Sequence, residues 1–361
     1  MRFRYLTFIG GLAVVLSLVQ EPVAAQAQPV NAKAEATNQA WTTARTADGQ
    51  PDLQGVWANN NATPLQRPKE LAGRATLTDE EVAALRKAAA KIFDAGEGDA
   101  EFGDAYFETV WASLQKPEAG PHKRPVNGFD GKTGDYSSVW LVSRVWDNRT
   151  SLITDPPDGR IPLLTQEAKK RQDAARAKAA LNLPPAGPED LSLGVRCVTF
   201  GSPRLGAGYN SYYQIFQTRD SVAIEMELGH EVRVIPLDGR PHLPPTVRTW
   251  LGDSRGHWEG DTLVVDTTNY KRGASMGASA NLHTIERFTR TGPETLKYEV
   301  TFNDPATWTK PWSVMIPLQH SKDAMYEYAC HEGNYAMTDI LKGARAEEKA
   351  AAEEAAKTRS K

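Results

Sequence analysis

The sequence predicts an α+β protein in which N-terminal helices and loops pack on a C-terminal antiparallel β-barrel. Helical patterns occur before about residue 182, and strand patterns separated by short turns follow from residue 209. Gly, Asp and Pro separate most of these strand patterns, which is typical of an antiparallel meander that closes into a barrel. The chain also contains 23 prolines, which argue for many turns and against a helical bundle.

The first 27 residues have the pattern of an export signal. Arg2 and Arg4 precede an apolar run from Leu6 to Val19, and Ala25-Gln26-Ala27 fits the small-x-small cleavage pattern. An N-terminal membrane anchor is the alternative, but the apolar run is short for a membrane span of about 20 residues. We therefore expect a periplasmic or secreted protein that is soluble and not stably inserted in a membrane after signal cleavage.

A disordered linker is expected at residues 28–50, followed by a mixed region of helices and loops at residues 51–204. Ala, Gln, Asn and Thr dominate the linker, so it has little apolar surface to bury. Thr78-Asp79-Glu80-Glu81 is a capping box that predicts a helix reaching about Phe93. The other predicted elements of this region are helices at 102–114 and 166–181 and strands at 138–146 and 152–154.

Residues 205–340 are predicted to form the barrel, and residues 341–361 a charged helical tail. Leu296, Tyr298, Val300 and Phe302 alternate with polar residues, so one face of their strand is expected to be buried. The turn-rich residues 250–260 are interpreted as a hairpin that leads into the next strand. The predicted strands are Tyr212–Gln217, Val222–Glu227, Glu231–Leu237, Asp261–Thr267, Thr284–Arg290, Leu296–Asn303 and Trp312–Leu318.

Charge and cysteine usage narrow the class of protein further. The formal net charge is -3 with acidic and basic residues interspersed, so no nucleic-acid partner is expected. Cys197 and Cys330 are the two cysteines. One disulfide is the simplest interpretation in an oxidising compartment, while two buried thiols or a catalytic or ligand-binding cysteine are the alternatives.

Three long motifs resemble a family of exported bacterial proteins across nearly the whole mature chain. They are Arg149–Ile153 with Asp155–Arg160, then Trp250–Asn269, then Tyr326–Tyr335. The resemblance implies export and transfers no catalytic residues. The C-terminal meander is also similar to lipocalin-like barrels, and this likeness implies a barrel that encloses one small ligand.

Binding of a small hydrophobic or aromatic molecule inside the barrel is the leading functional hypothesis, with a fully packed interior as its alternative. Arg255, Trp258 and Tyr298 are the candidate ligand-binding residues of the barrel. Arg160 is a further candidate, because the Pro-fixed turn at Pro156-Pro157 holds it in a rigid loop where it can bind a carboxylate, with a salt bridge between loop and barrel as the alternative.

An isomerase, dehydratase or hydrolase that uses acid–base chemistry is the second hypothesis. His257, His283, His331 and Glu332 are its candidate catalytic residues. The histidines lack the spacings of metal sites and no nucleophile or phosphate-loop motif occurs, so neither a metal nor a cofactor is expected. A structural protein of the cell envelope is the third hypothesis.

Overall fold

The computed structural model describes residues 41–94, 103–115, 143–181, 183–273 and 275–359. The predicted signal segment, most of the predicted linker and the first part of the predicted strand at 138–146 lie outside these residues. The helices are α1 (Asp79–Ala89), α2 (Asp104–Gln115), α3 (Gln166–Ala180) and α4 (Ala336–Arg359). The strands are β1 (Gly55–Ala58), β2 (Ile153–Asp155), β3 (Tyr212–Gln217), β4 (Ser221–Met226), β5 (Glu231–Pro236), β6 (Asp253–Glu259), β7 (Thr262–Thr268), β8 (His283–Gly292), β9 (Thr295–Asn303) and β10 (Trp312–Ser321).

The sheet is an antiparallel, nearly closed barrel, which confirms the predicted fold class. Its strands follow the order β5-β4-β3-β1-β10-β9-β8-β7-β6, and β2 adds to β10. No ladder joins β5 to β6 among the described residues, yet the two strands come close together. A Cβ atom placed on Gly256 of β6 would lie 2.7 Å from Leu237 and 2.8 Å from Ile235 of β5. The barrel wall therefore closes by side-chain packing at this seam.

The strand β1 enters the barrel wall from the N-terminal region. It lies between β3 and β10, and Trp57 is opposite Tyr213 on one side and His320 on the other. The Trp57 side chain is fully buried, and its indole nitrogen donates a hydrogen bond to the Leu53 carbonyl at 2.9 Å. The sequence indicated only a short extended segment here, because four residues carry too little alternation to show a buried strand.

Side chains of the barrel itself fill its interior. The predicted alternation in β9 is confirmed, since Leu296, Tyr298, Val300 and Phe302 are at most 1% exposed. The Tyr298 ring stacks on Phe288 at a centroid distance of 4.5 Å, and Phe302 stacks on Trp312 at 4.4 Å. Aromatic rings thus occupy much of the space that an enclosed ligand would need.

The N-terminal helices have a smaller core of their own. Thr78 and Glu81 form the predicted capping box, which begins α1, and Leu85 of α1 packs with Phe107 of α2 and with Trp146. A disulfide joins Cys197 and Cys330, as the simplest interpretation of the two cysteines predicted. The helix α4 starts at Ala336, earlier than the predicted tail, and is mostly exposed. None of the described helices is both long and apolar enough to cross a membrane.

Candidate functional site

A cleft of about 1120 Å³ lies at the end of the barrel where β1 ends and β3 begins. Residues from the segments 61–65, 192–207 and 328–334 line it, together with Gly273, Ser275 and Met276, and Gly103, Asp104 and Leu152 complete the lining. The Cys197–Cys330 disulfide ties the second of these segments to the third. The walls of the cleft are therefore loops held in place by the barrel below them and by one covalent crosslink.

The surface that lines the cleft is more apolar than polar. A mostly apolar wall with a few placed polar groups is typical of sites for small organic molecules. The apolar side chains are Leu65, Leu152, Leu193, Val195, Phe200, Leu205, Met276 and Tyr328.

Three polar groups in the lining have no hydrogen-bond partner among the residues that the structure describes. They are Asn61 Nδ2, Arg204 Nε and Ser275 Oγ, and all three atoms are buried. Asn61 and Ser275 are 3% and 4% exposed as whole residues. Burial lowers the pKa of the Arg204 guanidinium, and the charge of Glu231 offsets only part of this desolvation. Buried polar groups are nearly always paired in native proteins, so three unpaired groups in one cleft need an explanation.

Two carboxylates also line the cleft. Asp104 accepts hydrogen bonds from the backbone N–H groups of Leu65 at 2.5 Å and Gln66 at 3.3 Å, and burial raises its pKa. Glu332, one of the predicted catalytic residues, is exposed. Neither carboxylate forms an ion pair with Arg204 among the described residues.

Of the three predicted catalytic histidines, His257 and His283 lie away from this cleft, and His331 lies between the lining residues Cys330 and Glu332 without lining the cleft itself. His257 is exposed on β6, with its Nε2 atom 3.1 Å from Glu259 Oε1. His283 at the start of β8 bonds Asp266 Oδ2 at 2.9 Å. His331 is exposed in the loop before α4. No hydrogen bond joins any two of the predicted histidines within the described ranges.

His283 belongs to a row of charged groups on the outer face of the barrel. Asp266 also contacts His242, whose Nε2 atom lies 3.0 Å from Asp266 Oδ1. The other ring nitrogen of His242 is 2.9 Å from Asp253 Oδ2, and Asp253 in turn pairs with Arg255 at 2.7 Å. Both ring nitrogens of His242 donate to carboxylates only when the ring is doubly protonated. Through these contacts, His242 holds the loop after β5 against the strands β6 and β7.

Sequence reasoning missed His242, Asp253 and Asp266 as a group. They are separated along the chain and carry no recognisable spacing. No three His, Cys, Asp or Glu side chains in the described part of the chain are placed to hold a metal ion.

The four predicted ligand-binding residues lie in different places. Arg255 belongs to the charged row, and Trp258 is partly buried against the barrel core with its indole nitrogen unpaired. Arg160 donates to the Arg67 carbonyl at 2.7 Å and lines a separate cavity of about 520 Å³. Tyr298 lies inside the barrel. None of the four is among the residues that line the large cleft.

The Tyr298 hydroxyl completes a buried ion pair inside the barrel. It donates to Glu286 Oε1 at 2.6 Å, and Arg233 binds both Glu286 carboxylate oxygens at 2.5 and 2.8 Å. The Arg233 side chain is 4% exposed and that of Glu286 is 0% exposed. Burial, followed by the charge of Glu286, raises the pKa of the Tyr298 hydroxyl.

Comparison with known proteins does not assign this chain to a family. No protein-family model matches the chain, and no curated protein matches it in sequence. Among solved structures, a mutant of the fluorescent protein UnaG aligns with 31% of this chain and 72% of its own, at 15% identity and a TM-score of 0.20. A similarity this weak supports no conclusion about the fold. The assignment of a barrel therefore rests on the strand pairing of this chain.

Proposed function

We propose that this protein binds a small, largely apolar or aromatic molecule in the cleft at the end of its barrel. The observation that carries the proposal is a cleft of about 1120 Å³ whose lining surface is more apolar than polar and includes Phe200, Met276 and Tyr328. Sites for small organic molecules have volumes of roughly 300–1000 Å³ and the same kind of lining. The cleft is favoured over the barrel interior because aromatic rings already fill that interior.

Binding is favoured over catalysis by the placement of the acid–base residues. Of the four predicted catalytic residues, only Glu332 lines the cleft. His283 and its partner Asp266 lie on the outer face of the barrel and take part in fastening a loop. A general base has to lie within hydrogen-bond reach of its substrate, and no histidine lies on the lining of the cleft.

We also propose that the protein works in the periplasm or outside the cell. The Cys197–Cys330 disulfide supports this proposal, because such bonds persist in oxidising compartments and are rare in the cytosol. The predicted export signal supports the same compartment. Mass spectrometry of protein from the culture medium and periplasm would test it through the mass of the mature N-terminus.

Filling the cleft is the direct test of the binding site. The full chain is titrated with the neutral dye N-phenyl-1-naphthylamine, whose fluorescence rises on binding to an apolar site. We expect binding to be lost in Ala207→Trp, which places an indole ring on the cleft lining. The matched control is Ala175→Trp on the exposed side of α3, which should bind as the unaltered chain does. Equal binding by both variants, or no binding by the unaltered chain, would contradict the proposal.

A further inference from the structure

We infer that the ligand of the cleft carries an anionic acceptor group, of the carboxylate or sulfonate class, which Asn61, Arg204 and Ser275 bind. This inference rests on the proposed binding function and names the chemistry of the ligand. It starts from the three unpaired polar groups on the cleft lining. Each of these groups can donate a hydrogen bond, and a ligand with several acceptor atoms is the simplest common partner.

The amide of Asn61 is oriented so that its nitrogen has no protein partner. Its Oδ1 atom accepts a hydrogen bond from the Thr63 backbone N–H at 2.6 Å, which assigns the other end of the amide as the NH₂ group. Two residues earlier, the side-chain amide nitrogen of Asn59 donates hydrogen bonds to the carbonyls of Leu205 and Gly206 and so fixes this segment. Asn61 is thus a fixed, buried donor at the cleft.

Arg204 supplies the positive charge. The Tyr213 hydroxyl donates to the Arg204 carbonyl at 2.6 Å and so holds its backbone. Gly206 lies beside the guanidinium, where an added Cβ atom would be 3.7 Å from Nη2. The side chain makes no hydrogen bond or ion pair with the described residues, and a desolvated cation without a partner is unfavourable. An anionic ligand would supply the missing partner.

Ser275 provides a donor from another wall of the cleft. Its backbone carbonyl accepts a hydrogen bond from Ala278 at 2.8 Å, and Gly273 bonds Ala278 in the same loop. These bonds fix the loop and leave the hydroxyl of Ser275 without a partner.

Neither carboxylate of the lining forms an ion pair with Arg204 among the described residues. Asp104 turns both oxygens to backbone N–H groups at Leu65 and Gln66. Glu332 is exposed, and its charge is solvated. Glu231, whose charge acts on Arg204 from outside the cleft, accepts a hydrogen bond from the Phe200 N–H instead. The guanidinium of Arg204 therefore remains available for an anion.

A pair of dyes with related ring systems tests the charge of the ligand separately from the existence of the site. The neutral dye is N-phenyl-1-naphthylamine, and the anionic dye is 8-anilinonaphthalene-1-sulfonate. We expect the unaltered chain to bind the anionic dye more tightly. We expect Arg204→Gln to weaken anionic-dye binding by about tenfold or more, and by a clearly larger factor than it weakens neutral-dye binding. Arg176→Gln on exposed α3 is the matched control and should change neither affinity.

A matched pair of competitors gives a second test that needs no variant. 2-Naphthoate should displace the bound neutral dye at a lower concentration than 2-naphthamide, which has the same shape without the charge. Decanoate in the same assay distinguishes an aliphatic carboxylate from an aromatic one. Equal displacement by the acid and the amide, with neutral-dye binding intact, would overturn the inference and leave the binding function standing. Absence of any dye bound in the cleft would instead overturn the binding function.

Discussion

Arg233 and Glu286 form an ion pair in the interior of the barrel, where most neighbouring side chains are apolar. The pair joins β5 to β8, two strands that are not neighbours in the sheet. Burial alone would lower the pKa of Arg233, but the charge and hydrogen bonds of Glu286 raise it overall. A buried pair of this kind specifies which strands face each other more than it adds to stability.

Removal of one member of this pair should be strongly destabilising. We expect Glu286→Leu to lower the free energy of unfolding by about 3–5 kcal/mol, because it leaves a buried guanidinium without its counter-ion. The double variant Arg233→Met with Glu286→Leu should recover most of that loss. Urea unfolding followed by tryptophan fluorescence measures both values. The exposed Glu259→Gln variant is the control and should be close to the unaltered chain. A stable Glu286→Leu protein would show that the pair is not essential to the interior.

His283 should give the stability a defined pH dependence. The hydrogen bond with Asp266 raises the pKa of His283 above its ordinary 6.5 in the folded chain. A raised folded value means that the contribution is fully present below the unfolded pKa and is lost as pH rises through the folded one. Stability should therefore decrease in this window above 6.5, and His283→Gln should flatten the decrease. Unfolding at about pH 5.5 and about pH 8.5 measures the difference.

The carboxylate of the same pair acts in a separate, acidic window. Burial opposes ionisation of Asp266, but hydrogen bonds from His283 and His242 lower its pKa overall below 3.8. Its contribution is present above that ordinary value and is lost as pH falls through the lowered one. His331→Gln, at an exposed ring, is the control and should keep the unaltered profile. A His283→Gln protein with that same profile would argue against the pairing.

At the level of elements, β6 depends on one glycine at the seam of the barrel. A side chain at Gly256 would meet Ile235 and Leu237 closer than 3.0 Å. We expect Gly256→Ala to lower the free energy of unfolding by about 1–3 kcal/mol, since the strands have to move apart to admit a methyl group. Thermal unfolding measures the change.

The matched control for this variant is Gly343→Ala in α4. Nothing lies near an added methyl group at Gly343, and alanine favours a helix over glycine by about 0.5–1 kcal/mol. This variant should therefore be neutral or slightly more stable. Equal unfolding temperatures for the two variants would mean that the seam is looser than the side-chain distances indicate.

Local patterns made some elements predictable and hid others. The capping box at Thr78 predicted the start of α1 to the residue, and the alternation around Tyr298 predicted β9 to within one residue, because each signal lies within a few positions. The predicted end of the helix, near Phe93, lies beyond the end of α1 at Ala89. The strand β6 was taken for a turn. Its inward positions include Ser254 and Gly256, and its outward positions are charged, so no apolar alternation marks it.

The cleft could not be predicted in the same way. Asn61, Arg204 and Ser275 belong to three distant stretches of chain, and only the barrel topology brings those stretches to one cavity. Their unpaired state depends on what surrounds each atom, and a single sequence does not show this. Glu332 was selected because a carboxylate can act as an acid or a base. Its place on the cleft lining comes from the tertiary fold, which its local sequence does not show.

For the molecule as a whole, the disulfide joins the walls of the cleft to one another. We expect the double variant Cys197→Ser with Cys330→Ser to be less stable by about 4–5 kcal/mol in the chain-entropy description of a loop this long. It should also bind the neutral dye more weakly, because residues 192–207 and 328–334 lose their covalent connection. Denaturation and dye titration measure the two effects. Unchanged dye affinity in a folded double variant would show that the barrel alone shapes the cleft.

The position of β1 has a consequence for the order in which the molecule is made. Its ladder partner β10 is the last of the ten described strands, so the first of these strands to be synthesised waits for the last one. Pairing between such distant segments is slow, and until it occurs the edge of β1 that β10 later covers stays open to other chains. The barrel is therefore completed only once β10 has been synthesised, and chaperones that cover exposed strand edges have their greatest effect before that point.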